Sequence, residues 1–191
     1  MTKWFLLFGL MVGASHAQIT PYATPPDTYS LTETNVMFTP DLTMTIIRDG
    51  NRAVMDQSAP PSQKIPAGFH TKTYLQLPDG KSYTVDMLNP AGPCKVGSAK
   101  LTWTDPFAMA AQLHKQLDVH VRKDRIGPKI NGMDSHVVIM PQLTAFLELK
   151  YGLILRLDMN RKEGVKTMIE VQKLSFAKPP AGVLEIPGSC R

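Results

Sequence analysis

The sequence predicts an α+β domain: a curved antiparallel β-sheet with one or a few helices packed on its concave face. Three observations carry that expectation. Short runs of alternating apolar and polar residues, separated by turn residues, fill most of the chain. One segment, beginning at Asp105, switches to the three- and four-residue spacing of an amphipathic helix. Most connections are too short for the crossover helices that parallel strands need. Such a sheet must bury its apolar face, and one short helix covers only part of it. The remainder either curls onto itself or encloses an apolar cavity.

Met1-Thr2-Lys3, an apolar run over residues 4–12 and Ser15-His16-Ala17 before Gln18 form the pattern of a secretory signal peptide over residues 1–17. The mature protein is therefore expected in the periplasm or outside the cell. The run is well short of the roughly 20 residues that span a bilayer as a helix, and no later segment reaches that length. Residues 18–28, with Pro21, Pro25 and Pro26, read as an extended lead-in. One domain is expected from residue 29 to residue 191.

Leu42, Met44 and Ile46 alternate with Thr43, Thr45 and Ile47; Asp49-Gly50-Asn51 then offers a tight turn before Ala53, Val54 and Met55. A second hairpin has Thr73, Leu75 and Leu77 before Pro78-Asp79-Gly80 and Tyr83, Val85 and Met87 after it. Proline-rich loops lie between the hairpins and ahead of Cys94. Asp105 can cap a helix with Pro106 in its first position, and Phe107, Ala110, Leu113 and Leu117 give it an apolar stripe. Val137, Val138, Ile139 and Met140 form a β-branched run. Leu143, Ala145, Leu147 and Leu149 then share one face, and Leu153, Leu155, Leu157 and Met159 share a face on the return. Their other faces carry Glu148, Lys150, Arg156, Asp158 and Asn160, which predicts a sheet wet on one side. A charged turn leads to Val165, Thr167, Ile169 and Val171, and an extended tail ends near Cys190.

Hydrophobic residues are 43% of the chain and charged ones 19%, a balance that supports a folded core. The net charge of +5 is only mildly basic, and with aromatics at 7% and an exported chain it gives no ground for nucleic-acid binding. In an oxidising compartment the two cysteines, Cys94 and Cys190, are expected to pair as a structural disulfide, two free thiols or a redox pair being the alternatives. A loop of about 100 residues closed in this way is worth up to roughly 4.7 kcal/mol on the chain-entropy model.

His70, His114, His120 and His136 lack the local spacing of a zinc helix and read as surface or loop histidines, so no metal or cofactor is expected. The methionines are scattered singly, and Met44, Met87 and Met159 lie in phase with Leu and Val as core filling rather than soft-metal ligands. Arg122-Lys123-Asp124-Arg125 reads as a solvated loop. Asp86, Asp134 and Glu148 are not paired in sequence, and no catalytic residue is assigned.

Ile130-Asn131-Gly132-Met133-Asp134-Ser135-His136-Val137 is similar to the glycine-led strand of LolA-like periplasmic proteins, the outer-membrane lipoprotein carrier superfamily. Ala145-Phe146-Leu147-Glu148-Leu149-Lys150-Tyr151-Gly152-Leu153-Ile154-Leu155-Arg156 resembles their strand-turn-strand, and Lys178-Pro179-Pro180 through Ile186-Pro187-Gly188 the ending of the small secreted members. The resemblance implies a half-barrel, an unclosed antiparallel sheet covered by helices, that holds a lipid or a lipoprotein acyl chain. The Pro-rich start stands where a carrier has an amphipathic helix, so the likeness is to a small secreted relative. The expected function is then non-enzymatic binding of a hydrophobic ligand in a cavity lined by Phe107, Leu113, Leu147, Leu149, Leu153 and Leu155. The alternative is an envelope protein-interaction module with a filled core and no small-molecule ligand.

Overall fold

The computed structural model describes residues 22–36, 41–117 and 126–191. The signal peptide, the first residues of the lead-in, His120 and the Arg122-Lys123-Asp124-Arg125 stretch lie outside the described residues. Among the described residues ten strands form one curved, antiparallel sheet: β1 (Thr28–Asn35), β2 (Leu42–Asp49), β3 (Arg52–Ala59), β4 (Phe69–Gln76), β5 (Lys81–Asp86), β6 (Lys95–Ser98), β7 (Ser135–Ile139), β8 (Leu143–Glu148), β9 (Ile154–Arg161) and β10 (Gly164–Ser175). Between β6 and β7 lie a one-turn helix, α1 (Ala99–Thr102), and a longer one, α2 (Pro106–Leu117). The order across the sheet is β6-β5-β4-β3-β2-β1-β10-β9-β8-β7, so two meanders meet where β1 pairs with β10.

Both expected hairpins form, with Asp49 opposite Arg52 at the first turn and Gly50 in the left-handed region at φ 59°. The register sets the two faces. Along β1 the residues Tyr29, Leu31, Glu33 and Asn35 are buried, and Leu31 stands opposite Ile46, which stands opposite Met55. The helices close this face. Phe107 of α2 packs with Tyr29, Leu31, Ile46, Leu153, Leu155 and Val171, Ala110 with Val138, Ala145, Leu147 and Ile154, and Ala99 of α1 with Ala53 and Leu75. On the other face Val54, Tyr74 and Val85 are covered by Leu184 of the tail. Cys94 and Cys190 form a disulfide that ties this tail to the loop after β5.

Several details depart from the alternation read in the sequence. Leu149 leaves the face of Leu147 and is exposed, because the Glu148 carboxylate accepts the Lys150 N–H at 2.9 Å and the Tyr151 N–H at 2.6 Å and turns the chain before Leu149 can join the strand. A bulge in β9 opposite Phe146 and Leu147 puts Ile154 and Leu155 both into the core, the former beside Leu147 and the latter beside Val171. The face of β9 expected to be wet buries Asp158, which takes hydrogen bonds from Arg156 Nε and Thr167 Oγ1, both at 2.8 Å. Met87 lies beyond the end of β5 and is exposed. The tail turns at residues 181–184 and closes in a 3-10 turn, Gly188–Cys190, in place of one extended run.

Glu33 sits on the helix-covered face at 6% exposure, and burial raises its pKa, opposed by the hydrogen bond it accepts from Asn35 Nδ2 at 3.3 Å. A carboxyl raised in the folded state stabilises below its unfolded pKa, and that contribution is lost as pH rises through the folded value. Glu33→Gln is therefore expected to raise the melting temperature at neutral pH and to change little in acid below the ordinary carboxylate range; thermal melts across pH check this. Replacing Cys94 and Cys190 together by Ala is expected to lower unfolding stability by about 2–4 kcal/mol and to speed cleavage of the tail at Glu185 by a glutamate-specific protease, read by denaturant titration and limited proteolysis.

Candidate functional site

The site begins with the helix cap. Asp105 Oδ1 accepts the Phe107 N–H at 2.9 Å and the Ala108 N–H at 3.2 Å, two of the donors that a helix start leaves unpaired, while Pro106 has none to offer. Its other oxygen accepts Arg48 Nη1 at 2.6 Å and the Tyr29 hydroxyl at 3.2 Å. Arg48 and Tyr29 are register partners on β2 and β1, so their side chains rise together from the sheet to meet the helix. Arg48 also donates from Nε to the Gly50 carbonyl at 3.1 Å and from Nη2 to Asp27 at 3.0 Å. Burial first, and then the Asp105 charge, raise the Tyr29 pKa far above its ordinary value, so the hydroxyl stays protonated and donates.

Beside this network lies a cleft of about 670 Å³, within the range of small-molecule sites. Arg48 and Asp105 line it together with Lys100 and Trp103 from α1 and its end, Phe107, Ala111 and His114 from α2, Leu77 and Pro78 from the turn after β4, and Tyr151 from the turn after β8. The lead-in supplies one wall as a strap of residues 22–27. The strap is tied at one end by the Ala23 N–H to the Lys150 carbonyl at 2.8 Å and at the other by Asp27 to Arg48. Its Tyr22 ring stacks on His114, centroids 4.4 Å apart, and meets His136 edge-on at 6.3 Å. Gly152, at φ 68°, lies directly under the His114 and Tyr22 rings, where a Cβ would collide with both.

Of the six residues expected to line a cavity, Phe107 lines this cleft. Leu113 and Leu147 pack in the cluster beneath α2, Leu153 and Leu155 belong to the central core, and Leu149 faces solvent. The space beneath α2 is filled, and the opening lies at the junction of strap, helices and sheet. His114 and His136, far apart in sequence, come together at Tyr22, whereas His70 pairs with Asp56 at 2.9 Å on β3 and β4. Among the described residues no group of three or more His, Cys, Asp or Glu is placed to hold a metal ion. Asp86, Asp134 and Glu148 stay apart: Asp86 closes the turn at Leu88, Asp134 pairs with Lys129 at 3.1 Å, and Glu148 turns the chain after β8. Sequence reading missed Arg48 and Trp103. A lone Arg inside an apolar strand run, opposite a capping Asp in need of a counter-charge, was the available signal for the first.

No protein-family model matches this chain, and no curated protein matches it. No helix among the described residues is long and apolar enough to cross a membrane.

Asp105→Ala removes a helix cap and strands the Arg48 charge and the Tyr29 hydroxyl, with Arg48 and Asp105 only 22% and 15% exposed. The expected loss is about 3 kcal/mol. Asp105→Asn keeps a capping oxygen and should cost less; denaturant titration of both variants checks the order.

Proposed function

We propose that this is an exported, non-enzymatic protein whose sheet is a LolA-like half-barrel, and that it binds one hydrophobic ligand, a lipid or acyl chain, in the cleft between strap and helices. The observation that carries the reading is the cleft itself, about 670 Å³ with Trp103, Phe107, Tyr151, Leu77 and Ala111 on its walls. Each methylene that leaves water against such a wall contributes about 0.8 kcal/mol, so a chain of modest length is enough for binding. The one-sided sheet, the helices on one face and the likeness of its C-terminal meander to LolA-like strands support the half-barrel. The filled core beneath α2 favours a second reading, an envelope protein-interaction module with no small-molecule ligand.

The test uses the protein purified from an oxidising compartment without its leader, in which Trp103 is the one tryptophan left after loss of Trp4. A lipid recovered by solvent extraction at one per chain, and a saturable change in Trp103 emission on adding a fluorescent fatty acid, are the expected results. Ala111→Trp, which fills the cleft, should abolish the uptake. A bare chain that takes up nothing sinks the proposal in favour of the interaction module.

A further inference from the structure

Arg48 stands between two carboxylates of unlike standing. Asp105 is 15% exposed and caps α2, so it cannot leave without undoing the helix start. Asp27 is 74% exposed, ends the strap, and among the described residues its carboxylate holds only Arg48 Nη2, at 3.0 Å. An ion pair this exposed is weak and exchanges readily. Lys100 lines the same cleft, exposed and without a carboxylate partner among the described residues; Asp79, in the turn between β4 and β5, is the remaining acid on the wall.

Resting on the lipid-binding reading, we infer that the ligand is an anionic, single-chain amphiphile whose head group takes the place of Asp27 on Arg48. The guanidinium offers Nη2 to an acceptor oxygen, Lys100 supplies a second cation, and the chain lies against Trp103, Phe107 and Tyr151. A fatty-acid carboxylate and the phosphate of a lysophospholipid present the same chemistry to this pair. Asp27 is then a competitor built into the strap, and ligand binding displaces its carboxylate while the Gly50 N–H still holds the Asp27 carbonyl at 3.0 Å.

The experiment titrates the oxidised, leader-free protein with palmitate, hexadecanol and lysophosphatidylglycerol below micelle formation, following Trp103 emission, for the natural chain, Asp27→Asn and Lys100→Gln. Hexadecanol should bind about tenfold more weakly than the anions, one charge-assisted contact being worth that factor. Asp27→Asn should tighten the anions severalfold and leave hexadecanol unchanged, and Lys100→Gln should weaken the anions alone. Binding of only one of the two anions supports the inference and names the head group as carboxylate or phosphate. Equal affinity for palmitate and hexadecanol overturns the inference and leaves the cleft reading standing. So does an Asp27→Asn variant that tightens all three probes alike, since the strap would then act only as a barrier. Failure of all three to bind removes both.

Discussion

The position of Asp105 between Arg48 and Tyr29 is the constraint on which the arrangement of this protein depends. A carboxylate held at 15% exposure has to find counter-charge and donors, and here it finds an arginine, a phenol and two helix N–H groups at once. Because the arginine and the tyrosine face each other across β1 and β2, the start of α2 is fixed over the middle of the sheet. Phe107, two residues on, then falls onto Tyr29 with ring centroids 5.0 Å apart, and the largest apolar cluster assembles around that contact. The remaining donors of Arg48 reach the turn after β2 and the strap, so one side chain ties three separate pieces, helix start, turn and strap, to β2.

The sheet solves its burial problem twice. Helices cover one face, and a short C-terminal segment covers part of the other, where Val54, Tyr74 and Val85 meet no helix. A segment this brief has little area with which to hold itself down, and the bond from Cys190 to Cys94 supplies the missing constraint. The outer face elsewhere is polar but not uniformly wet: Asp158 is buried among Arg156 and Thr167, which satisfy it locally.

Features governed by local chemistry were readable from the sequence. The Gly50 turn, the Pro78-Asp79-Gly80 turn, the Asp105-Pro106 helix start and the last meander each follow from neighbours a few residues apart. What could not be read depended on distant partners or on very short elements. β6 and α1, four residues each, hold by backing onto β5, as when Ala99 N–H reaches the Gly80 carbonyl at 2.9 Å. Strict alternation across Leu153, Leu155, Leu157 and Met159 missed the bulge, since an inserted residue leaves no mark in an apolar run. Of the leucines expected to line a cavity, Leu149 is turned out to solvent, and Leu113, Leu147, Leu153 and Leu155 are inward, but inwardness does not separate a packed core from an open wall. The cleft is instead made where a proline-rich strap, read as a mere lead-in, crosses the helices, and Tyr22 and His114 meet there only through tertiary structure.

Of the described strands, β1 is made first, and it lies in the middle of the sheet. β1 pairs with β2 at once, yet its other edge waits for β10, with Ser30 opposite Ser175. Until β10 has been made, a row of unpaired backbone groups stands open to any extended peptide, the arrangement most prone to wrong pairing. A topology of this kind suits a chain whose synthesis and folding are separated in time, held extended until its last strand is present.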